Sequence, residues 1–240
     1  MILGIVGSPR KGRLTDQLVS RVLEGVESAR VKSKKVYLMD YKIPFYTEQS
    51  ECPSRLNRLC EEADALVIGA PVYYGDINGL TKDFMDTVRI PNANGKYGLG
   101  IAIAGGTGKG LCLGVQTIYS FFYHRQMRGI EPTPVSRFSF QKTMERLFRS
   151  GRELARVSKE KKPFEDLWDR IEHYEKLDYL NYTFLDEILL LAGELIEISK
   201  GKPAVPIAEK ECEIAKSLIK QGRRAKAAKH AVKAYDTLYF

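Results

Sequence analysis

The chain has 240 residues, 44% of them hydrophobic and 28% charged, with a formal net charge of +8. This is the composition of one large globular domain, or of a domain with an appendage. No apolar run reaches the ~18 residues that mark a membrane span. The positive charge favours anionic partners, nucleotide cofactors and nucleic acid included.

Met1 leads directly into Ile2-Leu3-Gly4-Ile5-Val6. That run is too short for a secretory core and has no basic residue ahead of it, so it reads as a first strand in a cytoplasmic protein. Further near-continuous apolar runs follow at 35-KVYLM-39, 65-ALVIGA-70 and 99-LGIAIA-104. Unbroken rather than alternating hydrophobicity is expected of parallel strands covered on both faces. A weaker candidate at 130-IEPTPV-135 carries two prolines, which limits it to an edge or a short strand.

Helical patterns separate these runs. Leu18, Val22 and Val26 recur at i, i+4 and i+8, with Thr15 and Asp16 near the start; Leu56, Leu59 and Cys60 share a face, as do Leu80, Phe84 and Val88. The stretch LCLGVQTIYSFFYHRQM is longer and more apolar, and Met144, Leu147, Leu154 and Val157 mark a fifth helix. Alternating strands and helices predict a doubly wound five-stranded parallel sheet of order 2-1-3-4-5. A charged hinge, KEKKP, falls at 159–163. Beyond it only amphipathic helices are predicted: FEDLWDRIEHYEKL, FLDEILLLAGELIEIS, and one or two more after GKPAVP. The organisation expected is therefore an α/β domain over 1–158 and a C-terminal helical extension over 159–240, acidic up to 200 and basic after it.

Ligands of open parallel sheets sit beyond the carboxyl ends of the strands. After the first strand come Gly7, Ser8, Pro9, Arg10, Lys11, Gly12, Arg13, Leu14 and Thr15. Hydroxyls, cations and a helix start make this a phosphate cradle in chemical terms. It matches neither the NTPase nor the dinucleotide fingerprint. After the third strand, Pro71, Val72, Tyr73, Tyr74, Gly75 and Asp76 offer aromatic surface and bare backbone to a planar ring. After the fourth, Gly105, Gly106, Thr107 and Gly108 allow main chain to approach a flat ligand. GTGKG ends like a P-loop, but Gly110 stands where a magnesium-binding Ser or Thr is needed and Ile103 where the leading glycine belongs.

Taken together, GSPRKG with Thr15 resembles the phosphate loop of the NADPH-dependent FMN reductase and iron–sulfur flavoprotein families. ADALVIGAPVYYGDINGLTKDFMD resembles their second signature at Ala63, Asp64, Pro71, Val72, Tyr73, Gly75, Gly79, Lys82, Phe84 and Asp86. The resemblance covers about residues 1–155 and implies a flavodoxin-like fold with FMN. It implies that Ser8, Arg10 and Thr15 hold the phosphate, joined by Lys11, Gly12 and Arg13, and that Pro71–Asp76 and Gly105–Gly108 contact the isoalloxazine. NADPH or NADH is then the hydride donor and a small flavin or quinone the acceptor. No side chain need act as a catalytic acid or base, and a homodimer or homotetramer is the expected assembly.

The chain departs from the family pattern at three places. Leu14 replaces the asparagine that often precedes the loop threonine, so the phosphate loses a donor. Thr87 replaces an arginine after the Lys-x-Phe-x-Asp run, which removes an expected surface or inter-subunit contact. Only Cys52 and Cys60 lie where iron–sulfur members carry a compact cysteine cluster; Cys112 and Cys212 are remote and no C-x-x-C pair exists. With His124, His173 and His230 also dispersed, no cluster and no metal are predicted. Two rival readings remain: a flavodoxin-type electron carrier without nicotinamide turnover, which the basic charge disfavours, and an anion-binding scaffold using Arg223, Arg224, Lys226 and Lys229. The scaffold lacks any nucleic-acid-binding motif, and that basic run reads as a solvated helix face.

Overall fold

Alternate residues of each apolar run drop into opposite cores, which is why the runs carry no polar partner face. In the computed structural model, which describes residues 1–240, β1 (Ile2–Val6) sends Leu3 and Ile5 to one side and Ile2 and Val6 to the other. Around it lie β2 (Ser33–Tyr37), β3 (Ala65–Tyr73), β5 (Tyr97–Ala104) and, at the edge, β6 (Arg128–Gly129) and β7 (Thr133–Ser136). All of these pair in parallel. The order is β2-β1-β3-β5-β6, with β7 continuing along β5. The numbers differ from 2-1-3-4-5 because a two-residue strand, β4 (Asp76–Ile77), turns back antiparallel on β3 and takes a number. The prolines divide the edge strand: Pro132 separates β6 from β7, and Pro134 is tolerated at an edge that needs fewer donors.

One face of the sheet is covered by α1 (Leu14–Ser28) and α5 (Phe140–Val157). These helices cross on a glycine pair. A Cβ built on Gly25 would lie 2.1 Å from the Phe148 carbonyl oxygen, and one on Gly151 2.0 Å from that of Val22. The other face takes α2 (Ser54–Glu62), α3 (Gly79–Thr87) and α4 (Leu111–His124), whose Leu56, Phe84, Ile118 and Phe122 are fully buried. The second strand stops at Tyr37, two residues before the end of its apolar run. Leu38 turns into the core within a short 3-10 turn and Asp40 pairs with Lys11 instead.

The segment read as a charged hinge is pinned. Arg128 donates to the carbonyls of Lys162 and Pro163 and pairs with Asp169 at 2.7 Å, while Phe164 and Asn94 exchange two hydrogen bonds. From there α6 (Leu167–Glu175) joins the core of the second face: Tyr174 donates to the Met127 carbonyl and His173 bonds that of Gly129. Helices α7 (Phe184–Ile198), α8 (Val205–Lys220) and α9 (Arg224–Tyr239) then form a third core with Ala104, Leu111 and Cys112 at the end of β5. The apolar α7 buries Leu191, Ala192 and Leu195 there. Part of the basic tail is spent on this packing, since Arg224 bonds Asp186 and Lys233 and His230 both reach Glu211. No helix is long and apolar enough to cross a membrane.

The glycine crossing gives a direct test of the helix layer. Gly151→Ala forces a methyl into backbone and is expected to destabilise the protein by about 1–3 kcal/mol or more, read from urea unfolding midpoints.

Candidate functional site

Parallel register brings three strand exits level with one another. Val6 is paired with Gly69, and Pro71 with Ile103. The chain leaving each strand turns into the same space, and the result is a cleft of about 940 Å³. Its walls include Ser8, Arg10, Gly12, Arg13 and Thr15 from the first loop, and Pro71, Val72, Tyr73, Tyr74 and Gly75 from the second. Gly105, Gly106 and Thr107 come from the third. Thirteen of the sixteen residues expected from sequence therefore line it.

The other three point elsewhere. Lys11 turns to Asp40 at 2.7 Å and lies 4.8 Å from the centre of the Tyr37 ring. Asp76 accepts the Thr117 hydroxyl and its neighbour's N–H, tying the second loop to α4. Gly108 faces inward, where Leu191 leaves no room for a Cβ. The structure adds Leu14, Gln17, Ile103, Ala104 and Lys109 to the lining. Of these, Lys109 was within reach of sequence reasoning, as a cation beside a glycine-rich turn.

At the first loop the donors are unspent. Helix α1 has no side-chain cap, its first ladder bond runs from Gln17 N–H to Arg13, and the N–H groups of Leu14, Thr15 and Asp16 have no acceptor. The Thr15 side chain is nearly buried yet its hydroxyl has no protein partner. Neither Arg10 nor Arg13 is engaged in an ion pair, whereas Lys11 is. The Ser8 hydroxyl shapes the turn by accepting the Arg10 N–H at 3.1 Å. Leu14 opens the helix at 40% exposure, contributing an N–H but no side-chain donor.

Beneath the loop lies a group that sequence reasoning noted only as a helix-start residue. Asp16, 4% exposed, accepts the Gly12 N–H at 2.7 Å, the Lys35 ammonium at 2.7 Å and the Tyr37 hydroxyl at 3.0 Å. Burial alone would push its carboxyl up; the bonds from Lys35, Gly12 and Tyr37 outweigh burial and hold it below the usual carboxylate range. The carboxylate thus faces away from the cleft, braces the turn at Gly12 and leaves the cations above it free.

At the far end the surface is bare. Gly105 lines the cleft, and a Cβ built there would meet nothing within 4 Å. Neither packing nor a positive φ demands glycine at 105. Tyr74 is fully exposed with φ of 53°, a conformation uncommon for a bulky side chain, and Tyr73 is 42% exposed. Gly110 touches Gly75 so closely that a Cβ would lie 2.5 Å from its Cα. The second and third loops therefore meet backbone to backbone.

The other departures lie away from the cleft. Thr87 is interior, donating to the Asp83 carbonyl and lying 3.1 Å from the Cys52 sulfur, so position 87 offers no surface contact here. All four cysteines are buried, and burial pushes the Cys60 thiol up to about 12. No three His, Cys, Asp or Glu side chains converge.

A family model described as NADPH-dependent FMN reductase matches residues 1–135. An iron-sulfur flavoprotein of Archaeoglobus fulgidus is 33% identical over 122 residues, covering 45% of this chain and 56% of the relative, so the match spans about half of that protein's length. A second iron-sulfur flavoprotein of the same organism is 26% identical over 194 residues, covering 74% of this chain and 96% of the relative. A flavodoxin from the domain Archaea superposes with a TM-score of 0.51 at 19% identity, over 66% of this chain and 97% of that one, which shows a shared flavodoxin-like fold.

The Asp16 cluster makes a pH prediction. Its folded value lies below the ordinary 3.8, so the stability it supplies is complete above that value and is lost as pH falls through the folded one. Asp16→Asn is expected to melt below the parent protein at neutral pH, and the two curves to draw together only as the pH falls from 3.8 through the lower folded value, as followed by circular dichroism.

Proposed function

The chain belongs to the NADPH-dependent FMN reductase family, and from that premise we propose that it is an FMN-dependent oxidoreductase, taking hydride from NADH or NADPH and reducing a small acceptor such as a flavin or quinone. The observation that carries this reading is the two-ended cleft: unspent donors and unpaired cations at α1, bare backbone and tyrosine at the loops after β3 and β5. A phosphomonoester joined to a flat ring system matches both ends at once. The glycine at 105 supports the fit, since neither packing nor backbone geometry explains it. FMN, when bound, supplies the hydride and electron chemistry.

The chain's own residues bind, orient and shield. The N–H groups of Leu14, Thr15 and Asp16, with the Thr15 hydroxyl, are placed to take phosphate oxygens, and Arg10 and Arg13 to balance the charge. Asp16 keeps the turn in shape without facing the anion. Pro71 to Gly75 and Gly105 to Thr107 offer flanks for the ring, and the exposed Tyr73 and Tyr74 stand where a second substrate arrives. We assign no acid or base, and no iron–sulfur cluster, because Cys52 and Cys60 are core residues.

A homodimer or homotetramer belongs to the same reading. Leu14, Met39, Phe45, Tyr46, Tyr73 and Tyr74 expose apolar surface on segments that follow the carboxyl ends of strands, and a second copy is the partner proposed for it. A scaffold role for the basic tail is weakened by the intrachain ties of Arg224 and Lys233.

Titration of FMN and riboflavin by fluorescence quenching tests the two-ended cleft. The double variant Arg10→Ala/Arg13→Ala is expected to weaken FMN about 10- to 100-fold while leaving riboflavin unchanged. Equal affinity of the parent protein for the two flavins overturns the phosphate assignment. Stopped-flow mixing of the flavin-loaded protein with NADH or NADPH is expected to bleach the visible band; no bleaching by either favours an electron carrier.

A further inference from the structure

The loop after β5 is held from outside the sheet. Both side-chain oxygens of Glu187 in α7 accept N–H groups at the start of α4, from Gly110 at 2.8 Å and from Cys112 at 2.9 Å. Tyr235 in α9 donates its hydroxyl to the Thr107 carbonyl at 2.8 Å. Both residues are buried, at 6% and 2% exposure. Leu191 presses on Gly108 so that a Cβ there would come within 2.7 Å of it. The Lys109 ammonium lies 5.1 Å from the centre of the Tyr235 ring. Every one of these clamping side chains lies beyond residue 135, where the family match ends.

Such a loop needs holding. Gly106, Gly108 and Gly110 all have positive φ, and a chain so rich in glycine loses much entropy on settling into one shape. Glu187 thereby ties the end of this loop to α7 through two buried backbone N–H groups.

We propose that Glu187 and Tyr235 are positioning residues for the ring end of the flavin site: from the helical extension they fix the Thr107–Cys112 loop that flanks it. This rests on the FMN reading for its ligand but not for the clamp itself. Neither residue lines the cleft itself; each acts through the backbone it holds.

Two variants of the full-length protein test it. Tyr235→Phe removes one oxygen and keeps the ring, and Glu187→Gln keeps the shape but places an amide N–H₂ where an acceptor is needed. Each is expected to weaken FMN and riboflavin by the same factor, about 3- to 30-fold, by fluorescence quenching. Equal loss for the two flavins marks the ring end, in contrast to the phosphate-loop variant, which loses FMN alone. Amide hydrogen exchange without added flavin is expected to quicken at residues 107–112 and to stay unchanged at residues 8–16. A lowered melting temperature with parental affinity for both flavins overturns the positioning role, and so does a loss confined to FMN. If the parent protein binds neither flavin, the FMN reading has failed, and the exchange rates still decide the clamp: unchanged rates at 107–112 in both variants overturn it.

Discussion

Everything at the cleft depends on three parallel strands ending side by side while both faces of the sheet are covered. With the faces filled by helices, the sheet offers free backbone and side chains at its strand exits, and the register sets those exits level: Val6 beside Gly69, Pro71 beside Ile103. Short bonds then lock the first two exits together. The Gly7 N–H donates to the Gly69 carbonyl, and the Asn78 amide donates back to the Gly7 carbonyl. The loops are free to differ in chemistry because the strands beneath them are fixed by pairing and by burial on both faces.

That frame separates two kinds of electrostatics. At α1 a buried acid sits below the turn and turns its charge toward Lys35 and Tyr37, so the upper surface keeps its cations and its N–H donors. At α4 a buried acid bonds the helix start directly, taking the N–H groups of Gly110 and Cys112. The residue type is similar in both places, yet one carboxylate braces a turn from behind its donors and the other ties a loop to a distant helix.

The sheet and its helices were legible in the sequence because their signals are local. Apolar runs of Ile, Val and Ala give buried strands, and i, i+4 spacing gives the helices that cover them. The three loops were legible for a related reason: they follow strand ends and carry glycine, hydroxyls and charge within a few residues. Lys11 lies outside the lining because Asp40 claims it, and nothing near it in the sequence announces that pairing. The hinge at 159–163 read as free because its anchor, Arg128, comes from a separate strand. Glu187 and Tyr235 left no trace at all. Within their own helices they are an acid and an aromatic among many, and their meaning comes from loop atoms far away in the chain.

The distance in sequence between the glycine loop and its clamp also orders events during synthesis. A chain grows from its amino end, and its parts begin to fold as they emerge. The three strands and the α1 loop are all complete by residue 104, whereas Leu191 and Tyr235 are made much later. Until then Ala104, Leu111 and Cys112 lack the helices that cover them. A nascent chain on the ribosome therefore completes the α1 turn early and the fixed form of its glycine loop last.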